Sequence, residues 1–154
     1  MKSAKRIISK ILKIGTLVST GGFIGSTLIQ IYARFLMESA PSWTEEAARF
    51  FFIYAMGFAA GLAMIGNYYV HLDLVYNKLK ENHKRILDLS ISITVFVMFL
   101  IMAIYSIEFV VLGIPEKSPS LQLTMSIAFA SVLVMALSIV SFAFFDVMKK
   151  LKKY

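Results

Sequence analysis

The sequence predicts an all-α integral membrane protein, a bundle of four transmembrane helices forming one domain over residues 1–154. Three observations predict it. First, 58% of the residues are apolar, against roughly 45–50% in an ordinary soluble domain. Second, only 16% are charged and the mean hydropathy is +0.75. A soluble monomer of this length could not hide that much apolar surface, because small domains leave much of their surface in water. Third, the apolar residues gather into runs at 14–37, 50–69, 86–112 and 121–147. Each run meets the roughly 20 residues a helix needs to cross a hydrocarbon core of about 30 Å.

The first run follows Lys2, Lys5, Arg6, Lys10 and Lys13, which raises a signal peptide. An apolar signal core is about 7–15 residues long, and the run over 14–37 is longer, so it reads as a retained anchor. The second run is preceded by Ser42-x-x-Glu45, a capping-box pattern, with Glu45 and Glu46 in the positive first turn of the helix. Glu45 and Arg49 stand at i, i+4 in the favourable order. Trp43 suits an anchor at the membrane–water interface. Between the second and third runs, Leu72, Val75 and Leu79 fall on one face, which predicts a short helix lying in the interface. The third and fourth runs exceed the bilayer and are expected to tilt or project. Ser118-Pro119 predicts an N-cap and first-turn proline for the fourth helix.

Orientation follows from the distribution of Lys and Arg. The N-terminal tail holds Lys2, Lys5, Arg6, Lys10 and Lys13; the middle loop holds Lys78, Lys80, Lys84 and Arg85. The C-terminal tail holds Lys149, Lys150, Lys152 and Lys153. Only Arg34, Arg49 and Lys117 fall on the opposite side. The rule that basic loops stay inside places both termini in the cytoplasm. It also accounts for the net charge of +7 without a nucleic-acid partner.

Catalytic and metal chemistry find no foothold in these residues. There is no cysteine, and the two histidines, His71 and His83, sit at the membrane surface without carboxylate clusters. No nucleophile–base, zinc-protease or phosphate-loop motif occurs. No cofactor is therefore expected, and the chain reads as a non-enzyme. Ionisable groups at the bilayer centre are functional candidates by default, but Glu108 stands toward the outer boundary. Gln30 lies deeper and suits an interhelical hydrogen bond. No proline interrupts a span, so the broken helices of a substrate-carrying transporter core are not expected. Small residues, notably Gly21 and Gly25 in the first helix and Gly57 and Gly61 in the second, let helices approach closely. Two readings stand: packing within this bundle, or packing against another membrane subunit.

The stretch Arg34-Phe35, Pro41-Ser42-Trp43-Thr44-Glu45-Glu46 and Arg49-Phe50 resembles the DctQ-like family, the small membrane subunit of tripartite ATP-independent periplasmic (TRAP) transporters. Tyr69-Val70-His71-Leu72-Asp73 is similar to that family's segment after the second helix, keeping Asp73 but carrying Tyr where His is usual. Ser118-Pro119-Ser120-Leu121-Gln122-Leu123-Thr124 is similar to its approach to the fourth helix, with the second proline replaced by Thr124.

The resemblance implies a subunit of a sodium-coupled symporter in a bacterial inner membrane that takes up organic acids of the C4-dicarboxylate or sialic-acid type. It implies a stable heterodimer with a large permease subunit, a transient encounter with a periplasmic substrate-binding protein, and membrane lipid as the surroundings. Within that frame Arg34, Trp43, Thr44, Glu45, Glu46, Arg49 and Asp73 are the candidate interface or structural residues. A local capping device and a docking face are both open readings of the cluster. An accessory subunit of another membrane complex is the alternative function. A small multidrug exporter ranks below it, because the first helix lacks a deep carboxylate.

Overall fold

The computed structural model describes residues 2–37, 41–65 and 80–152, with no side chains described at Lys2, Glu81 and Asn82. Four helices run through them: α1 (Lys2–Leu36), α2 (Ser42–Ala63), α3 (Glu81–Leu112) and α4 (Met125–Leu151). All four are long and apolar enough to cross a membrane, and no strand is present among the described residues. The all-α, four-span architecture is the one the sequence predicts. The expected interfacial helix, with Leu72, Val75, Leu79 and Asp73, lies outside the described residues.

The helices form two antiparallel hairpins, α1/α2 and α3/α4, joined through α2 and α4. Their lateral order is α1, α2, α4, α3, so the cross-section is an open row with α1 and α3 at its edges. The ends of the row differ in connectivity. One end carries both termini. The other carries the α1/α2 and α3/α4 connections.

Residue size explains the α1/α2 contact. On α1, Leu12, Ser19, Ser26 and Ala33 are buried. They recur at every seventh residue, the period that keeps one seam facing a partner helix. Beside them Gly15 receives the ring of Phe58 and Gly22 the ring of Phe51. A side chain on either glycine would enter the ring space, so these two glycines are what lets the Phe residues of α2 dock. Phe23 and Phe52 add a tilted ring pair at 5.5 Å between centroids.

The inner pair, α2 and α4, approaches closest at Gly57 and Gly61. A Cβ on Gly57 would stand 2.9 Å from the carbonyl oxygen of Ser131. Gly61 faces the Ser138 side chain, with Leu12 of α1 against the same point. Both predicted packing glycines of α2 thus lie in a helix–helix contact of this chain. Gly21 and Gly25 do not: nothing stands within 4 Å of a Cβ built on either.

The α3/α4 hairpin closes on Gly113, where a Cβ would collide with the Ser126 amide and the Phe129 ring. Phe109 stacks on Phe129 at 4.0 Å. Serine and threonine hydroxyls inside the helices donate to carbonyls of the preceding turn, as Ser131 does to Ala128 and Ser138 to Met135. Hydrocarbon offers polar groups no other acceptor. No buried side-chain nitrogen or oxygen is left unpaired among the described residues.

Two helix starts differ from the sequence reading. The N-cap of α2 is Pro41, not Ser42, and no side chain caps it. Ser42 is already helical, while the Thr44 hydroxyl donates to the Pro41 carbonyl at 2.8 Å. The predicted capping box therefore does not form: proline holds the extended backbone, and Glu45 and Glu46 are engaged elsewhere. The N-cap of α4 is Thr124, not Ser118. Ser118 and Leu123 pair through the Ser118 amide and Leu123 carbonyl at 2.8 Å, and the Leu123 amide donates to the Ser118 hydroxyl at 3.2 Å. The loop this closes, with a bridge between Lys117 and Thr124, holds Ser118 away from the helix end.

Candidate functional site

Polar side chains concentrate at the two ends of the row. At the end with the short connections, α2 presents the predicted Trp-Thr-Glu-Glu block. Thr44 is fully buried, whereas Trp43 is exposed. Arg49 and Glu45 form the expected ion pair at 3.0 Å, with both side chains well exposed. Exposed pairs of this kind contribute less than about 1 kcal/mol, so this pair orients its groups more than it stabilises the helix.

Glu46 has a different role, one that local spacing did not reveal. One carboxylate oxygen, Oε2, accepts the backbone amides of Ser120 at 2.9 Å and Leu121 at 2.8 Å. The Ser118 hydroxyl also hydrogen-bonds to this carboxylate. The first turn of α2 thereby holds the α3/α4 loop, some seventy residues further along the chain. Hydrogen bonds to a charged acceptor are about twice as strong as neutral ones. The loop bends at Gln122, whose φ of 54° is left-handed, and the Gln122 side-chain Nε2 donates to the Pro119 carbonyl at 3.0 Å. Deeper along the same helix pair, the Tyr54 hydroxyl donates to the Ile127 carbonyl at 2.6 Å.

Arg34 sits exposed in the last turn of α1 and makes no ion pair with Glu45 or Glu46 among the described contacts. The predicted cluster is therefore two units, an exposed Glu45–Arg49 pair and a Glu46 clamp, with Arg34 apart from both. Asp73 lies outside the described residues.

A second polar cluster joins α3 and α4 at the terminal end. Lys150 pairs with Asp146 at 2.8 Å and donates to the Ser92 hydroxyl at 2.6 Å and to the Asp88 carbonyl at 3.1 Å. Ser92 Oγ lies 2.7 Å from Asp146 Oδ2 and 2.9 Å from the Asp88 carbonyl. The sequence reading did not anticipate this group. The i, i+4 spacing of Asp146 and Lys150 was legible, but their link to Ser92 needs the register of α3 against α4.

No set of three metal-ligating side chains occurs among the described residues. The hollows at Leu28, Ile29, Ile31 and Tyr32, and at Met102, Tyr105, Glu108 and Phe109, are open, shallow and almost wholly apolar. Such surfaces accept lipid or protein rather than a polar solute.

The comparisons with known proteins agree with this architecture. Over 97 residues the chain is 29% identical to the sialic acid TRAP transporter small permease protein SiaQ of Vibrio cholerae. The match covers 63% of this chain and 56% of that protein, so it spans only a little over half of the relative's length. A family match reaches further, over residues 23–153, and takes in the last part of α1 and the whole of α2, α3 and α4. A multi-pass protein of the inner membrane with four apolar helices is what that family describes, and this chain belongs to it: the DctQ component of the tripartite ATP-independent periplasmic transporters.

Proposed function

We propose that this chain is the small scaffold subunit of a sodium-coupled TRAP transporter that takes up an organic acid of the sialic-acid type. One observation carries the reading. The four spans are continuous helices in an open row, and their clustered polar groups lie at its two ends. A subunit that carried solute or cation would gather polar groups and interrupted helices near the bilayer midplane. A subunit that widens the wall around a moving partner needs continuous apolar helices and firm ends.

In this reading the large permease subunit carries the acid and its driving cation, and this chain binds it stably. The terminal end faces the cytoplasm, where the basic residues of both tails and of the middle loop gather. The end with the short connections faces the periplasm. There the Glu46 clamp fixes the α3/α4 loop relative to α2, giving the soluble binding protein a shaped surface. The substrate class is taken from the name of the Vibrio relative.

The test is reconstitution. Liposomes holding this chain with the large permease and the soluble binding protein should accumulate labelled sialic acid under a sodium gradient. Liposomes lacking this chain should not. Accumulation by this chain alone would overturn the scaffold role. Glu46→Ala should lower uptake at limiting binding protein while leaving recovery of the two membrane subunits unchanged.

A further inference from the structure

Toward its N-terminus α1 becomes two-sided. Lys5, Arg6, Ser9, Lys10 and Lys13 fall within an arc of about 140° at roughly 3.6 residues per turn. Ala4, Ile7, Ile8, Ile11, Leu12 and Ile14 take the complementary arc. Leu12 is buried against α2, while Ile7, Ile11 and Ile14 are each more than half exposed. Beyond Lys13 the sorting ends. The side of the helix that carries Arg6 and Lys13 continues through Leu17, Ile24 and Ile31, all exposed. That switch marks where hydrocarbon begins, and length agrees: about 20 residues back from Phe35 reach Gly15. The part of α1 before Gly15 is therefore about 20 Å of helix outside the hydrocarbon.

A topology signal needs only basic residues in the tail. It does not require them to be sorted against isoleucines on one helix. Such sorting is the pattern of a helix at a membrane surface, with its basic side among headgroups and its apolar side at the acyl boundary. The charges also lack partners within the chain. α1 contains no Asp or Glu, and Lys5, Arg6, Lys10 and Lys13 make no ion pair among the described residues. Basic residues on α4, at the same end of the row, are placed differently: Lys150 pairs with Asp146, and Lys149 lies in the field of the same carboxylate.

We infer that residues 3–14 of α1 form a binding segment for anionic phospholipid headgroups of the cytoplasmic leaflet. Charge and place select this occupant. Phosphodiester anions complement four unpaired cations, and continuity with the span holds the segment beside the headgroup layer. An acidic protein or a nucleic acid would meet the same charges but leave Ile7 and Ile11 in water; a lipid surface covers both. Only the side of the membrane is taken from the proposed function.

The chain has no cysteine, so a fluorophore on Ser9→Cys reports cleanly. The full chain is placed in phosphatidylcholine nanodiscs doped with a nitroxide-labelled lipid, either phosphatidylglycerol or phosphatidylcholine. Labelled phosphatidylglycerol should quench several-fold more than labelled phosphatidylcholine, and high salt should shrink the excess. Lys5→Gln with Lys10→Gln should remove most of the excess, whereas Lys5→Arg with Lys10→Arg should keep it. Lys149→Gln with Lys152→Gln, an equal change of charge at the same end of the row, should keep it too. All four lysines are exposed, where substitution leaves the fold intact. Equal quenching by the two lipids, or equal losses from the α1 and α4 variants, would overturn the binding segment. So would loss of the excess on adding polyglutamate or a DNA duplex, which would give the arc to a soluble polyanion. The assay contains no other subunit, so each of these failures leaves the proposed function standing.

Discussion

Gly57→Ala and Gly21→Ala make the same chemical change at two places in the membrane and should have opposite effects on the isolated chain. At Gly57 the new Cβ would stand 2.9 Å from the Ser131 carbonyl oxygen, a backbone atom that no rotamer change can move. Relief requires α2 and α4 to separate by a few tenths of an ångström. The helix pair would then lose contact along the seam that includes Gly61 and Ser138. The Tyr54–Ile127 hydrogen bond, 2.6 Å long and one turn away, would be stretched as well. Overpacking of this kind costs about 1–3 kcal/mol. The gain in helix propensity from Gly to Ala returns about 1 kcal/mol in a helix interior. The net effect at Gly57 is a loss of up to about 2 kcal/mol by those two figures. At Gly21 the Cβ meets nothing within 4 Å, so only the propensity gain of about 1 kcal/mol remains. Thermal unfolding of each variant in detergent, followed by circular dichroism, separates the two: Gly57→Ala should melt below wild type and Gly21→Ala at or above it. Equal shifts for the two variants would show that α2 and α4 do not meet at Gly57, and the open-row order of helices would fall with that contact.

Four further perturbations report on the polar ends and the loop. Ser92→Ala removes the buried hydroxyl that Lys150 and Asp146 share, and should cost about 1 kcal/mol in detergent unfolding. A double-mutant cycle of Asp146→Asn and Lys150→Met should give a coupling below about 1 kcal/mol, because both side chains are partly solvated. Tyr54→Phe deletes the hydrogen bond to Ile127 and should lower stability by about 0.6–1.7 kcal/mol, the range for hydrogen bonds between membrane helices. Gln122→Val places a β-branched residue at a φ of 54° and should lower the melting temperature, whereas Gln122→Gly should not.

What the sequence revealed and what it concealed divide by range. The four spans were legible because apolar runs of sufficient length admit one solution in a bilayer. The Glu45–Arg49 pair was legible because its geometry is set within one helical turn. The caps were misplaced for the opposite reason. Ser42 and Ser118 have the chemistry of N-caps, but competing partners decide where a helix begins. Pro41 fixes the extended residue ahead of α2, and Leu123 takes the Ser118 hydroxyl into a loop. The Glu46 clamp and the Ser92–Asp146–Lys150 group join residues more than fifty positions apart. No local pattern encodes such a meeting. It follows from the register in which one hairpin lies against the other, and that register is set by Gly57 and Gly61.

The glycines show most plainly why the two readings of the small residues could not be separated in the sequence. Gly15 and Gly22 lie one heptad apart on α1, and so do their ring partners Phe51 and Phe58 on α2. Gly21 and Gly25 interleave with them in the same helix, yet a Cβ on either meets nothing within 4 Å. A glycine count sees a single small-residue stretch. Only the rotational setting of α1, fixed by Leu12 and Ala33 being buried, sorts it into glycines that receive α2 rings and glycines that receive nothing from this chain's described residues. Small residues in a membrane helix let a neighbour come close, and on the α2 face of α1 that neighbour is a pair of Phe rings.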